Sequence, residues 1–287
     1  MKTTKFYVLA LILATSCSLK EVEENTNLKV ENEYQTITTP TYSSRETRVE
    51  SATGNFGKYA NLFAGHDATI AITSHRNNPM ETETIMAYYD PVNVTGTKSI
   101  GNTVQPENII INGKALFQPN TKSSGGNIRE MFGNRVSFGL SGCSPLSKSS
   151  NEENVTLYAP EMIGIEFPEI SEENHFPLCY YKNFVVRWNK DEKNENGVII
   201  LVKWNGTMVF GEDYSSSYIC RSVCVPDNGE AELNEDIFDG IPDTSLCRLY
   251  VFRGDVENMD IEEATYQVLA EVHDVINFVL IRNLESI

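Results

Sequence analysis

The sequence predicts an all-β protein in which a disordered tether is followed by two β-sandwich domains. Short runs of β-branched and aromatic residues recur along the chain, each bounded by Gly, Pro, Asn or Asp, as strands are. Residues 18–55 are instead rich in Thr, Ser, Asn and Glu without a sustained hydrophobic period, which indicates a disordered segment. A sharp change in charge then separates two folded units.

The predicted strands fall into two groups. Those of the first unit are expected at residues 68–73, 83–89, 108–112 and 136–140. Those of the second unit are expected at 184–188, 198–204, 218–220, 246–252 and 277–281. Residues 234–239 are predicted to form a single helical turn. Residues 261–272 carry apolar side chains at both helical and strand spacing, and their β neighbours favour a strand.

Charge divides the chain near its middle. Residues 60–150 hold six acidic and seven basic side chains, a net charge of +1, whereas residues 151–287 hold 27 acidic and nine basic ones, a net charge of −18. This contrast predicts two domains with separate surfaces. We expect an N-terminal sandwich over 56–170 and an acidic C-terminal sandwich over 175–287, with the linker near 169–174.

The whole chain has a formal charge of −17, from 23 basic and 40 acidic residues. Nonspecific binding to nucleic acid depends on cations that displace condensed counterions, and no concentrated basic stripe interrupts this acidic sequence. The composition therefore excludes a general nucleic-acid-binding protein. No Walker loop, HExxH, GxGxxG or GxSxG motif occurs either, so no cofactor is predicted and a non-catalytic protein is favoured.

The N-terminus has the pattern of a secretory signal peptide. Lys2 and Lys5 precede an apolar stretch at 6–14 that is too short to span a membrane. The following Ala14-Thr15-Ser16-Cys17 resembles a bacterial lipobox, in which the cysteine after the cleavage site is lipidated. The resemblance implies a signal peptide over 1–16 and a lipid on Cys17; the alternative is an ordinary signal peptide followed by a stray cysteine.

The residues after Cys17 read Ser-Leu-Lys-Glu-Val-Glu-Glu, which resembles the acidic export signal of surface lipoproteins in the Bacteroides group; a soluble linker is the alternative. The resemblance implies a protein exposed on the cell outer membrane and held by membrane lipid through acylated Cys17. Removal of the signal peptide would leave a net charge of −19, so lipid rather than basic residues would hold the membrane. Segment 17–55 would then be a disordered tether spanning about 35 Å.

A short stretch of the second unit carries a further resemblance. Val185-Val-Arg-Trp-Asn-Lys-Asp191, Asn194 and Gly197-Val-Ile-Ile200 resemble the B strand, turn and C strand of a fibronectin type III or immunoglobulin-like module found in such lipoproteins. The resemblance implies an immunoglobulin-like C-terminal domain with Trp188 in its core. It also implies that Asp191 and Asn194 turn back on their own backbone and that Gly197 takes positive φ.

Candidate nucleophiles and bases are few. Gly139-Leu-Ser-Gly-Cys143 is superficially similar to a nucleophile elbow, and a Gly-rich β-turn is favoured. The histidines at 66, 75, 175 and 273 are dispersed, and their spacing neither supports nor excludes a triad built from distant segments. His66-Asp67 is expected to be a loop pair. No catalytic residue is therefore predicted.

Acidic side chains are the chemistry in surplus. Asp191-Glu-Lys-Asn-Glu-Asn-Gly197 approaches the rhythm of a calcium loop, but Lys193 interrupts it and a structural turn is favoured, so no metal site is predicted. Arg253-Gly254-Asp255 spells an adhesion tripeptide, for which plain turn chemistry is favoured. A solvated rim rather than a catalytic carboxylate set is expected for five residues, namely Asp227, Glu230, Asp236, Asp239 and Asp243.

Lipidation of Cys17 would leave an odd number of cysteines, so at least one thiol should be free unless two chains join. A bridge between Cys179 and Cys247 across the sandwich is one expectation, and buried free thiols are the other. The cysteines concerned are Cys143, Cys179, Cys220, Cys224 and Cys247.

The favoured function is a non-catalytic cell-surface lipoprotein that binds a glycan, a protein or another copy of itself. The alternative is a structural pilus subunit that resembles the fimbrillins of the same bacteria, which mature by cleavage after an arginine beyond the lipid; Arg45 and Arg48 lie where such a cut could fall. A secreted hydrolase with a carboxylate pair ranks below both.

Overall fold

A computed structural model describes residues 35–36, 68–77, 80–91, 108–117, 126–141, 154–214, 218–261 and 264–283. Its regular structure is almost entirely β, which confirms the predicted all-β class. The signal peptide, Cys17 and nearly all of the predicted tether lie outside the described residues, as do Arg45, Arg48, His66 and Cys143.

Fifteen strands are described. In chain order they are β1 (Gln35–Thr36), β2 (Ala68–Arg76), β3 (Thr84–Pro91), β4 (Asn108–Ile111), β5 (Lys114–Phe117), β6 (Asn134–Ser141), β7 (Asn154–Ala159), β8 (Ile165–Phe167), β9 (Leu178–Tyr180), β10 (Phe184–Trp188), β11 (Val198–Met208), β12 (Ile219–Val225), β13 (Glu230–Leu233), β14 (Ser245–Ile261) and β15 (Ala264–Ile281). A short helix, α1 (Gly126–Arg129), precedes β6, and a 3₁₀ turn (Glu235–Phe238) follows β13.

The largest sheet has eight strands in the order β1-β12-β11-β14-β15-β2-β3, and β9 also pairs with β15. Its pairs are antiparallel except for β15 with β2 and β15 with β9, which are parallel. The long hairpin of β14 and β15 forms its centre. Two smaller sheets have the orders β13-β10-β8 and β5-β4-β6-β7.

One hydrophobic core joins the three sheets. Phe184 of β10 contacts both Phe238 of the 3₁₀ turn and Phe278 of β15, with ring centroids 5.2 Å apart in each pair. Leu157 of β7 and Val136 of β6 belong to the same buried cluster. Burial of this apolar surface is the main force that holds the layers together, at roughly 25 cal/mol per Å².

Most predicted strands are confirmed, with different ends. The helical turn at 234–239 is confirmed as the 3₁₀ turn, and strand structure is confirmed at 261–272, although β14 ends at Ile261 and β15 begins at Ala264. Six described strands are absent from the predicted set, namely β1, β5, β7, β8, β9 and β13. Strands β1, β8 and β9 have only two or three residues, too few to show a hydrophobic alternation.

Strand pairing crosses the predicted domain boundary. Strand β2, from the predicted first unit, lies beside β15 of the second, and β8, which precedes the predicted linker at 169–174, pairs with β10. The charge contrast therefore does not divide the chain into two separate sets of sheets. Described strands from 56–170 and from 175–287 share one sheet, and residues of both ranges contribute to one core.

Candidate functional site

The turn between β10 and β11 is built as its resemblance implied. Trp188 is 2 % exposed. The Asn194 side chain donates to the Gly197 carbonyl at 2.8 Å and accepts from the Asn196 N–H. Gly197 has φ +79°, and a Cβ there would lie 2.5 Å from the Val225 carbonyl oxygen. Both the side-chain turn and the need for glycine are thus confirmed.

Asp191 accepts hydrogen bonds on both carboxylate oxygens. The Tyr158 hydroxyl donates at 3.0 Å, the Glu161 N–H at 2.9 Å and the Lys193 N–H at 3.1 Å. Burial and the Asp191 carboxylate raise the pKa of Tyr158, so its hydroxyl stays a donor. These contacts agree with the favoured structural turn, since Asp191 links β7 to the turn between β10 and β11. Among the described residues, no group of three His, Cys, Asp or Glu side chains has metal-binding geometry.

Asp227 lies at the centre of a buried network. The Trp188 indole N–H donates to its Oδ1 at 2.8 Å, and the Asn194 amide donates to its Oδ2 at 2.9 Å. The Arg253 guanidinium donates to the same Oδ2 at 2.9 Å, and both side chains of this ion pair are 1 % exposed or less. Asp227 is therefore not part of the predicted solvated rim.

Arg253 also holds the connecting segment, residues 160–164, between β7 and β8. Its guanidinium donates to the carbonyls of Glu161 at 2.8 Å and Met162 at 3.1 Å, and to that of Asn189 at 3.0 Å. A planar guanidinium suits this role because its donors diverge in a fixed geometry. We call Trp188, Asp191, Asn194, Asp227 and Arg253 the buried joint.

A second ion pair, buried on its acidic side only, fixes the other end of the connecting segment. Arg76 of β2 donates to both oxygens of Asp274 of β15, at 3.0 and 2.6 Å. Asp274 is fully buried and also accepts from the Ile165 N–H at 2.7 Å. Both ion pairs thus secure the same irregular backbone to the large sheet.

The adhesion tripeptide is a structural element. Arg253, Gly254 and Asp255 lie within β14 rather than in a loop or turn, and Arg253 is 1 % exposed. Asp255 accepts from the Tyr158 N–H and the Asn196 amide, each at 3.0 Å. The predicted turn is wrong, because inward-facing Arg253 has enough partners for the strand to continue through it.

The remaining acidic residues of the predicted rim, and the residues of the predicted Gly-rich turn, lie in different places in the fold. Glu230 pairs with Arg187 at 2.5 Å, and Asp243 accepts from the Arg282 N–H at 2.5 Å. Asp236 and Asp239 are exposed, as the rim prediction required. In the predicted Gly-rich turn, Gly139 and Ser141 instead belong to strand β6.

The structure brings two histidines together that the sequence left apart. His75 of β2 and His273 of β15 are register partners, and their rings stack with centroids 5.3 Å apart. His273 Nδ1 lies 3.2 Å from a Glu271 oxygen. Burial and the neighbouring His273 lower the pKa of His75, while Glu83 opposes the shift. His175 is exposed and lies in the connection between β8 and β9.

No disulfide joins any two of the described cysteines, so the predicted bridge between Cys179 and Cys247 is wrong. Cys179 lies in β9 and Cys247 in β14, on opposite sides of β15 within one sheet. Two strand spacings are about 9.6 Å, more than the roughly 7 Å that a disulfide tolerates. The alternative of buried thiols is confirmed for both, and burial raises the pKa of Cys247.

The loop end of the β11–β12 hairpin exposes three aromatic side chains. Phe210 is 63 % exposed, Tyr214 52 % and Tyr218 41 %. The Tyr214 ring contacts Trp204 with centroids 5.8 Å apart, and the Tyr218 ring lies 5.4 Å from Lys203 Nζ. We call Phe210, Tyr214 and Tyr218 the aromatic hairpin end. Sequence analysis missed it, because a run of aromatics in a β protein does not reveal which side chains stay exposed.

A polar cleft of about 390 Å³ opens beside the β10–β11 turn. Its walls include exposed Asn134, Arg135 and Lys193, with Tyr158 and Asp255 beneath them. Lys193 Nζ donates to the Gly133 carbonyl at 3.4 Å, which links the two turns that line it. The cleft therefore offers amides, two cations and the carboxylates of Glu195 and Asp255 to a ligand.

Within the described residues, no helix is both long enough and apolar enough to cross a membrane. No protein-family model matches this chain, and no curated protein matches it either.

Proposed function

We propose that the protein is a non-catalytic lipoprotein of the outer-membrane surface that binds a glycan through the aromatic hairpin end. The observation that carries the proposal is the exposure of Phe210, Tyr214 and Tyr218 within nine residues of one hairpin. Exposed apolar clusters on soluble surfaces mark interaction sites. Tyrosine and phenylalanine rings offer large apolar area at a low cost in side-chain entropy.

The charge around the hairpin end favours a neutral, hydroxyl-rich ligand. Glu212 and Asp213 lie between the aromatic residues, and both are exposed. Asp213 accepts from the Met208 N–H at 2.8 Å through Oδ1, and its side chain is exposed. Carboxylates accept hydrogen bonds from sugar hydroxyls, whereas they repel acidic ligands.

The strand order supports the proposed immunoglobulin-like or fibronectin III-like C-terminal domain. The three-stranded sheet β8-β10-β13 and the strands β11, β14 and β15 of the large sheet contribute to one core, in which Phe184 of β10 contacts Phe278 of β15. In such a sandwich the B strand lies in one sheet and the C, F and G strands in the other. Assignment of β10 to B and β11 to C places Trp188 between the sheets, as the resemblance implied. β-sandwiches of this kind present their binding residues on loops.

The binding proposal is tested with polysaccharide and glycan panels on the mature chain. Binding should be lost or weakened about tenfold or more in Phe210→Ala and Tyr214→Ala, as expected when a stacking residue is removed. Phe176→Ala is the matched control, since Phe176 is 49 % exposed outside the hairpin. Equal binding by all three variants would reject the hairpin end as the site.

The proposed anchor is tested separately. A palmitate analogue should label the wild-type protein and not Cys17→Ala, and the variant should move to the soluble fraction. Equal labelling of both proteins would reject lipidation at Cys17.

A fimbrillin-like pilus subunit is the second candidate. Among the described strands, β3 ends the order of the large sheet, and a strand in that position can pair with another chain. A ladder of stable oligomers after proteolysis would favour this candidate over glycan binding. Turnover of the polysaccharides would instead favour the third, a secreted hydrolase.

A further inference from the structure

The polar cleft beside the β10–β11 turn lies at the opposite end of β11 from the aromatic hairpin end. Strand β11 has 11 residues, so its two ends are about 33 Å apart at roughly 3.3 Å per residue. The volume of the cleft, about 390 Å³, lies within the range of roughly 300–1,000 Å³ that is usual for small-molecule sites. A small ligand in this cleft would therefore bind independently of a glycan at the hairpin end.

Hydrogen bonds within the chain hold both walls of the cleft. On one wall, the Gly133 N–H donates to the Ala159 carbonyl at 2.7 Å, which fixes the turn between α1 and β6 to β7. On the other wall, the Asn196 N–H donates to the Asn194 side chain at 3.2 Å, and the Asn196 amide donates to Asp255 at 3.0 Å. A ligand would therefore meet a preformed surface, and binding would cost little ordering of the chain.

Several polar groups that line the cleft have bonding capacity to spare. Arg135 and Glu195 are exposed, and neither forms a hydrogen bond or an ion pair with another residue that the structure describes. Asn134 donates through Nδ2, whereas its Oδ1 accepts from no described residue. Lys193 is exposed, and its Nζ makes one long contact, 3.4 Å to the Gly133 carbonyl. The cleft thus brings unused donors and unused acceptors together.

The unused donors are cations, which indicates a negative charge on the ligand. The planar guanidinium of Arg135 suits a carboxylate, which it can bind through two parallel hydrogen bonds, and Lys193 adds a second positive charge. The Asp255 carboxylate competes little for these cations, because three N–H groups already donate to it. Since Glu195 and Asp255 balance the two cations, a single negative charge fits the cleft better than a phosphate monoester, which carries more.

The unused acceptors indicate hydroxyl groups on the same ligand. The Glu195 carboxylate and Asn134 Oδ1 both require a donor, and a ligand with a carboxylate alone would supply none. Hydroxyl groups donate to such oxygens and add no charge. A carboxylate next to several hydroxyl groups is the chemistry of a sugar acid.

We propose that the cleft is a second ligand site of this protein and that it binds a sugar acid. The carboxylate of the ligand lies on Arg135 and Lys193, and its hydroxyl groups donate to Glu195 and Asn134. The site differs from the aromatic hairpin end in position and in the charge of its ligand, so either site can be lost without the other.

Matched ligands test the proposal on the mature chain by calorimetric or NMR titration. Methyl galacturonoside and methyl galactoside differ only in that a carboxylate replaces a hydroxymethyl group. The acid should bind at least about tenfold more tightly than the neutral sugar, because charged hydrogen bonds are the stronger ones. Acetate, which has the carboxylate without the hydroxyl groups, should also bind at least about tenfold more weakly than the acid. Added NaCl should weaken binding of the acid, since salt screens exposed cations.

Matched variants locate the site. Arg135→Gln should weaken binding of methyl galacturonoside about tenfold, and Lys193→Gln provides an independent variant if the thermal midpoint of Arg135→Gln falls. Arg248→Gln is the control, since Arg248 is exposed on β14 and does not line the cleft. Phe210→Ala should leave binding of the galacturonoside unchanged, which separates this site from the proposed glycan site at the hairpin end.

Four outcomes would overturn the proposal. They are equal affinity for the acidic and the neutral sugar, acetate binding as tight as that of the acid, unchanged binding in Arg135→Gln and Lys193→Gln, and no binding of the galacturonoside at millimolar concentration. A loss of galacturonoside binding in Phe210→Ala would move the ligand to the hairpin end and overturn it as well. Failure of the hairpin variants on the glycan panel would reject the proposed function and leave the cleft site standing.

Discussion

The two ends of strand β11 use aromatic and acidic side chains in opposite ways. At the Val198 end, the buried joint places an indole, two carboxylates, an amide and a guanidinium between the layers, and Asp227 and Arg253 pair without solvent contact. At the Met208 end, Phe210 and Tyr214 are more than half exposed. The comparison teaches that the residues most suggestive of chemistry in the sequence hold the fold, whereas the aromatic side chains of the hairpin end are exposed to solvent.

The largest expected effect is at Arg253. Arg253→Met leaves the Asp227 carboxylate buried without its cation and leaves three backbone carbonyls without a donor. Removal of one partner from a buried pair costs about 3–5 kcal/mol. Urea denaturation of the mature chain should show this loss. Arg248→Met, an exposed residue of the same strand, is the control and should change stability by less than about 0.5 kcal/mol.

Two substitutions at Trp188 divide packing from hydrogen bonding. Trp188→Ala should cost about 3–5 kcal/mol because it empties a large core site. Trp188→Phe keeps most of the ring but removes the N–H that Asp227 accepts, and should cost about 1–3 kcal/mol. Thermal denaturation measures both. An unchanged midpoint in Trp188→Ala would contradict the burial of this residue.

The histidine pair predicts a smaller effect that depends on pH. The pKa of His75 is lowered in the folded state, so the unfolded state binds its proton more readily. The contribution of neutral His75 to the free energy of unfolding is therefore fully present above the unfolded pKa of about 6.5. It is lost as the pH falls below that value. His75→Gln should therefore flatten the stability profile between about pH 7 and pH 5, whereas His175→Gln should not. Identical slopes of unfolding free energy against pH for wild type and His75→Gln would contradict this prediction.

The smallest stability effect is expected at the hairpin end. Phe210→Ala should change the free energy of unfolding by less than about 0.5 kcal/mol, as at other exposed positions. A loss of more than about 2 kcal/mol would mean that Phe210 packs against the body, and the contrast between the ends of β11 would fail.

Local features of the fold could be predicted from the sequence, and distant pairings could not. Strands and the positive φ of Gly197 follow from side-chain spacing and turn residues that are neighbours in the chain. The parallel register of β2 and β15 joins residues about two hundred positions apart and brings His75 onto His273. The inward direction of Arg253 likewise depends on partners from three other segments, so its tripeptide suggested a turn.

A double-mutant cycle between Arg253→Met and Asp227→Asn tests most directly whether the buried joint is one cooperative structural unit. Each single variant leaves an unbalanced charge in the core, while the double variant leaves none. The free energy of unfolding of each variant is measured in urea. The sum of the losses in the two single variants should exceed the loss in the double variant by about 1–3 kcal/mol, the range for residues in one network. If the sum of the single losses equals the loss in the double variant to within about 0.5 kcal/mol, the buried joint is not one cooperative unit.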